Sequence, residues 1–472
     1  MNASGDSSAE LRYSIYLVLI ALATGAMLGR VLAVSSVDVI AAERQLYAAG
    51  RKDWQRQRPF LSANDRSRWA TARALVEHGT YAIDDVINER GWDTIDMVKH
   101  PGRDGRAHLY SSKPPLFATL MAGQYWIINR LTGATLGDHP YEIGRFMLVT
   151  INVIPLVVYF FVLALLAERL GTTDWSRIFM MASATFGTFL TTFVVSINNH
   201  LTAAVCVAIA LWAAVRIWYD GDRRLRYFVI AGFFAAFAAA SELPALSLFA
   251  LLGAALLWKC PRETLLAFAP PALVVAAAFF GTNYIAHDSL RPPYMHRSQT
   301  DPADNWYDYF YMRGGKLHDS YWNDPLGIDR GEPSAARYAL GATIGHHGIF
   351  SLTPIWILSV GGVVLLAQKR ERRALAVFIA ALSVACLAFY LLRPQMDRNY
   401  GGMTSGFRWM FWFAPLWLVA LVPAADWLSR SRAGRFLALV LLAASVMSAT
   451  YPTWNPWTHP WLWNFLTYVG WN

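Results

Sequence analysis

The sequence predicts an all-α, polytopic membrane protein of about eleven transmembrane helices, with juxtamembrane helices in a long first outer loop. Three observations predict it. Charged residues make up only 15% of the 472 residues and hydrophobic ones 55%, whereas a soluble domain carries about a quarter charged residues. Apolar runs of membrane-crossing length recur along the whole chain. Lys and Arg concentrate in every second link between those runs, as expected of cytoplasmic links. The formal net charge of +9 is therefore a topology signal. It does not point to nucleic acid, because the basic residues are not clustered with aromatics on a soluble module. One membrane domain over residues 1–472 is expected, rather than several soluble ones.

The N-terminal MNASGDSSAELR has one basic residue and no small-residue cleavage site before the apolar run that follows. That run is read as the first span and not as a signal peptide. Spans are expected at about residues 13–37, 143–167, 178–197, 201–219, 227–240, 244–258, 265–285, 349–367, 374–392, 409–427 and 436–449. Segment 115–131 is apolar but short, and Gln124, Asn129 and Arg130 interrupt it. Counting it as a span would put all five basic links outside, so it is expected to lie along the membrane surface. The cytoplasmic links are then 168–177, 220–226, 259–263, 368–373 and 429–435, each carrying Lys or Arg. This topology places the N-terminus in the cytoplasm and the C-terminus outside a cell (inner) membrane. The outer side holds the first loop (38–142), the second loop (286–348), the link 393–408 and the Trp-rich tail 451–472, which reads as an interfacial aromatic belt. Cys206, Cys260 and Cys386 lie in or beside apolar runs without metal-ligand spacing and are read as packing residues.

In the first outer loop, SANDRSRWATARALVEHG has a helix start at Ser62, apolar residues Trp69, Ala72, Leu75 and Val76 at helical spacing, and a stop at Gly79. A short amphipathic helix is expected, with Asp65 and Arg66 at its N-terminus near the interface. Ser62 and Asp65 also have capping-box spacing, and a cap would fix the carboxylate in place. Further on, Lys113 stands just before Pro114 and Pro115 at a helix start. The positive end of that helix and the ammonium together suit an anionic headgroup, although a lysine snorkelling at the interface would look similar.

One span, a long outer loop with an early ND pair (Asn64, Asp65), and a later SKPPLF stretch (112–117) together resemble the lipid-linked-sugar glycosyltransferases of the GT-C fold. The resemblance is to the protein O-mannosyltransferase and lipid A aminoarabinose transferase branch. It covers about the first 170 residues, Arg145 included, and is architectural beyond that. It implies a sugar transferred from a polyprenyl-phosphate donor, on the periplasmic face, to a glycan, lipid or protein acceptor. It also implies that Asp65 is the catalytic base or a metal-site residue. Family members often have a second acidic residue next to it; here Arg66 takes that place, removing one carboxylate of a two-carboxylate metal site. A divalent cation is left open as a cofactor.

Such a transfer needs a base for the acceptor hydroxyl and cations for the leaving phosphate. Asp65 is the expected base. Lys113 and Arg408 are the expected phosphate-binding cations, Arg408 because it ends the glycine-rich outer link containing Gly401, Gly402 and Gly406 and can bind phosphate in a bidentate manner; an interfacial anchor is its other reading, Arg398 is a weaker alternative, and Tyr400 of the same link is a further cavity candidate. Glu242, between two spans, would face the outer cavity; its other reading is an acid at a helix start. Asn199 and His200 lie in the next outer turn and read as cavity or plain turn residues. His346 and His347 open the eighth span; adjacent histidines project in different directions, so a shared metal is not expected. The second loop, rich in Tyr and Trp interleaved with Asp and Asn, reads as an acceptor lid. A transporter or flippase of lipid-linked sugars is the alternative, but it should show internal repeats and broken helices with charges at mid-membrane, and the sequence shows neither. No GxGxxG, P-loop or HExxH pattern occurs.

Overall fold

The computed structural model describes residues 3–33, 60–89, 91–452 and 455–471. The expected end of the first span and the start of the first loop, residues 34–59, lie outside the described residues. Among the described residues, seven helical stretches are long and apolar enough to cross a membrane: Ser8–Ala33, Pro140–Leu170, Asn199–Trp218, Pro261–His287, Arg373–Leu391, Arg408–Leu428 and Arg432–Thr450. Three shorter apolar helices, Leu225–Ser241, Leu243–Lys259 and Trp356–Gln368, join them. At 1.5 Å per residue a helix of this shorter class spans roughly 20–25 Å, close to the roughly 30 Å hydrocarbon layer once its polar ends are added. These ten correspond to ten of the eleven expected spans.

The remaining one, residues 178–197, is not a continuous helix, which corrects that expectation. Its helix, Asp174–Phe186, stops after 13 residues, and residues 187–198 continue as turns and a short 3-10 stretch, buried throughout. Irregular backbone is tolerated at membrane depth only where protein satisfies its polar groups. Here polar side chains do so. Asn152 Nδ2 donates to the carbonyls of Val194 (2.8 Å) and Ser196 (3.0 Å). Asn198 Nδ2 donates to Phe193 and Ser196, Arg30 Nη1 to Thr191 O, and Ile197 N–H donates to Asp65 Oδ1.

The bundle has two chemically different ends. At one end the basic links meet: Arg12 pairs with Glu168 and Asp174, Arg169 with Asp220, Arg223 with Glu263, Arg372 lies over Tyr219, and Thr173 donates to Asp426. At the other end the two long loops pack on each other. The antiparallel hairpin Met97–Pro101 with Ala107–Ser111 receives the second loop through Lys99 N to Trp306 O (2.9 Å), Trp322 Nε1 to Ile95 O (2.9 Å) and Tyr309 OH to Met97 O (3.2 Å). A second hairpin, Phe310–Arg313 with Lys316–Asp319, stands in that loop.

Segment 115–131 forms the helix Pro115–Thr132, ended by Gly133 at φ 72°. Its Met121, Ala122 and Tyr125 are buried, and Leu120, Trp126, Ile127 and Leu131 are exposed. It packs on helices Ala63–Glu77 and Ala269–His287, with Tyr125 OH donating to Glu77 Oε1.

Candidate functional site

The expected helix after Ser62 forms as Ala63–Glu77, and Ser62 Oγ accepts from Asp65 N at 3.0 Å. Asn64 through Ala74 are all buried, because the helix packs on helix Pro115–Thr132 and on the strand Ala107–Ser111 of the hairpin. Asp65 is 1% exposed. Its Oδ1 accepts from Trp69 Nε1 (2.9 Å) and Ile197 N (2.8 Å), tying the helix to the irregular segment. Burial pushes its carboxyl up to about 7, against the pull of the Ile197 hydrogen bond and Arg66. Arg66 points away, donating to the carbonyls of Phe60 (2.6 Å) and Asp93 (2.7 Å).

From the same helix Arg68 donates to Asn64 and, at 2.7 Å, to Asn199 Oδ1. Asn199 Nδ2 in turn donates to Glu242 Oε1 at 2.6 Å and to Ser241 O. Glu242 Oε1 also faces His200 Nδ1, and His200 Nε2 takes a hydrogen bond from Arg408 Nη1 at 2.7 Å. With Nε2 accepting, the ring proton sits on Nδ1, toward Glu242. Arg408 Nε donates to Gly401 O at 2.7 Å, and its guanidinium lies over Trp457. Gly401 has φ +97°, and a Cβ there would meet Arg408 Nε at 2.8 Å, so glycine is required for this approach.

Lys113 Nζ pairs with Asp96 Oδ1 at 2.8 Å. Arg68, Lys113 and Arg408 all lie within electrostatic reach of Asp96. Burial, with Arg68 and Arg408 nearby, lowers the Lys113 ammonium from its ordinary value despite Asp96. Burial works against ionisation of Asp96, yet Lys113 and the two arginines overcome it and hold the carboxyl below the usual range. Burial also pushes Arg68 down to about 10 and raises Asp329 of the second loop. Three cations thus converge at the end of the bundle that carries the long loops.

The structure brings Asp65, Lys113, Arg408, Glu242, Asn199 and His200 into one connected cluster. Arg66 anchors backbone instead. His346 and Tyr400 belong to a neighbouring aromatic group: Tyr400, held at φ 58°, stacks on His347 at 4.7 Å, and His346 meets Trp463. The expectation that His346 and His347 diverge is corrected, since their Nδ1 atoms approach to 2.6 Å. A turn at Gly348 bends the chain there, so the pair does not follow helical geometry. Among the described residues no three His, Cys, Asp or Glu side chains are placed to hold a metal ion.

Sequence reasoning missed Arg68, Asp96 and Asp329. Arg68 is four residues from Asn64, on the same helix face, a usable signal. Asp96 had none, being one acid among many in a polar hairpin.

Close to Arg408 in sequence, Phe407 and Met410 join Phe189, Leu190, Trp356 and Trp417 in lining a small apolar pocket. A separate polar hollow in the first loop is lined by Asp84, Asp85, Asp104, His108 and Arg103.

No family model matches the sequence, and no curated protein matches it. Among solved structures the chain is similar to ArnT from Cupriavidus metallidurans in the apo state, at 14% identity and TM-score 0.45, over 81% of this chain and 58% of that one. It is also similar to the archaeal oligosaccharyltransferase AglB from Archaeoglobus fulgidus, in complex with an inhibitory peptide and a dolichol-phosphate. That match has 12% identity and TM-score 0.46, over 93% of this chain and 55% of that one. The chain spans somewhat over half the length of each.

Proposed function

We propose that this chain is an integral membrane glycosyltransferase that moves a sugar from a polyprenyl-phosphate donor to an acceptor at the face bearing the two long loops. The observation that carries the reading is the convergence of Arg68, Lys113 and Arg408 on one buried site, through the Lys113–Asp96 pair and the Arg68–Asn199–Glu242–His200–Arg408 chain of contacts. A phosphate is what three desolvated cations recognise. The donor phosphate sits among these cations, which offset the charge growing on it as the sugar leaves. The acceptor oxygen attacks the sugar's anomeric carbon and loses its proton to Asp65. The bond from that carbon to the phosphate oxygen breaks, and its electron pair stays on the phosphate. A carboxyl titrating at about 7 suits a general base near neutrality. The Oδ1 of Asp65 already accepts two hydrogen bonds, and Arg66 and Arg68 add positive charge near its carboxyl, so the donor set does not suit a divalent cation.

The broken 174–198 segment is the one feature that favours the alternative, a carrier of lipid-linked sugars, because interrupted helices are common in transporters. Its freed backbone is, however, hydrogen-bonded by Asn152, Asn198 and Asp65. Purified protein in liposomes with a polyprenyl-phosphate sugar and candidate acceptors separates the two. A new glycosidic product supports the transferase; movement of the donor lipid between leaflets with no product supports the carrier.

A further inference from the structure

We infer that Asp96 is a positioning residue, which holds the Lys113 ammonium charged and aimed at the seat of the donor phosphate. The inference rests on the reading of this site as a polyprenyl-phosphate site. Asp96 is itself held from both sides. Its carbonyl accepts from Ser67 Oγ at 2.6 Å, on the helix that carries Asp65, and from Ser112 N at 3.1 Å, next to Lys113. Ser67 Oγ and Ser111 Oγ are in turn 2.5 Å apart. The carboxylate is therefore fixed where the ND helix and the SKPP strand end meet, 2.8 Å from the ammonium. Pro114 directly after Lys113 restricts the lysine's backbone to extended conformations.

Without Asp96 the ammonium would face cations almost alone. Arg68 approaches from helix Ala63–Glu77 and Arg408 from the turn after the glycine link. The remaining acids in the cluster are Asp329 from the second loop, itself held towards its protonated form by burial, and Glu242, which is engaged by Asn199 and His200. A buried ammonium beside two guanidiniums sheds its proton readily. Asp96 opposes that loss, and its removal moves Lys113 deprotonation to lower pH. The same removal also takes away one negative charge that repels an incoming phosphate.

These two effects have opposite signs on the two sides of the pH scale, which a merely structural role would not produce. The test is binding of undecaprenyl phosphate to the full chain in detergent micelles, measured against pH. Asp96→Asn is expected to bind as tightly as the parent or tighter at acid and neutral pH. At alkaline pH, where the parent still binds, it is expected to bind about tenfold more weakly, the equivalent of a one-unit change at Lys113. Asp96→Glu should restore the parent profile. Lys113→Arg in the Asp96→Asn background should restore alkaline binding, because a guanidinium keeps its proton. A profile for Asp96→Asn that superimposes on the parent, or a uniform weakening at every pH, overturns the inference. If Asp96→Asn does not fold, Lys113→Arg alone decides: its binding must persist to higher pH than the parent's, and an unchanged alkaline limb overturns the inference. Absence of binding by the parent at any pH overturns both this inference and the functional reading, whereas parent binding with superimposed profiles overturns this inference alone.

Discussion

Asp65 has two separable duties, and substitutions can tell them apart. As a buried acceptor it satisfies Ile197 N–H and Trp69 Nε1–H; as a carboxyl titrating at about 7 it can take a proton. Asn keeps an acceptor oxygen with two lone pairs but cannot serve as a base. Asp65→Asn is therefore expected to remain folded and membrane-inserted while losing transfer, and full activity in that variant would remove Asp65 as base. Asp65→Ala strands two buried donors and should lower stability by about 2–5 kcal/mol in detergent melts. The pH dependence follows from the raised folded value. The folded state holds this proton more tightly than the unfolded chain, so stability from this group is full below about 3.8 and declines as pH rises to about 7. The gap corresponds to roughly 4 kcal/mol, absent in Asp65→Asn. Melting curves of parent and variant should therefore diverge in the variant's favour between pH 4 and 7. Asp65 and Lys113 were legible in the sequence because a cap spacing and a Pro-Pro helix start mark them. Asp96 was not, since its importance comes from the hairpin register that returns Ser111 and Ser112 to its side.

At the scale of elements, the apolar runs gave nearly every span, because a lipid-facing or bundle-facing helix needs little beyond length and hydrophobicity. The broken segment 187–198 escaped the same reading for a physical reason. Its residues are as apolar as a helix's, and what lets the backbone leave helical geometry is Asn152 and Asp65, distant in sequence. Asn152→Ala is expected to cost about 1–3 kcal/mol, because Val194 O loses its side-chain donor and Ser196 O keeps Asn198 alone, read as a lower melting temperature in detergent. Close helix packing makes a second check. A Cβ at Gly362 would meet Ala420 O at 1.7 Å, so Gly362→Ala must push helices Trp356–Gln368 and Ala414–Leu428 apart, with a loss of about 1–3 kcal/mol.

For the whole molecule, the division of links anticipated from Lys and Arg appears as two ends of one bundle: basic links joined through Arg12, Arg169, Arg223 and Arg372 at one end, interlocked long loops at the other. Single cysteines at Glu371 and Asp104, exposed positions on opposite ends, should react with impermeant thiol reagent from opposite sides of the membrane, Asp104→Cys from outside. The central claim is that the cation cluster on the loop-bearing end works on a phosphate-linked sugar. Its most direct test is sugar transfer from a polyprenyl-phosphate donor by reconstituted parent, Lys113→Ala and Arg408→Ala proteins of equal folded content. Product is expected from the parent, with a loss of about a hundredfold or more in each variant, the magnitude seen when a charge-stabilising group is removed from a transition state. Parent-level transfer in both variants, or donor crossing the bilayer without product, would contradict it.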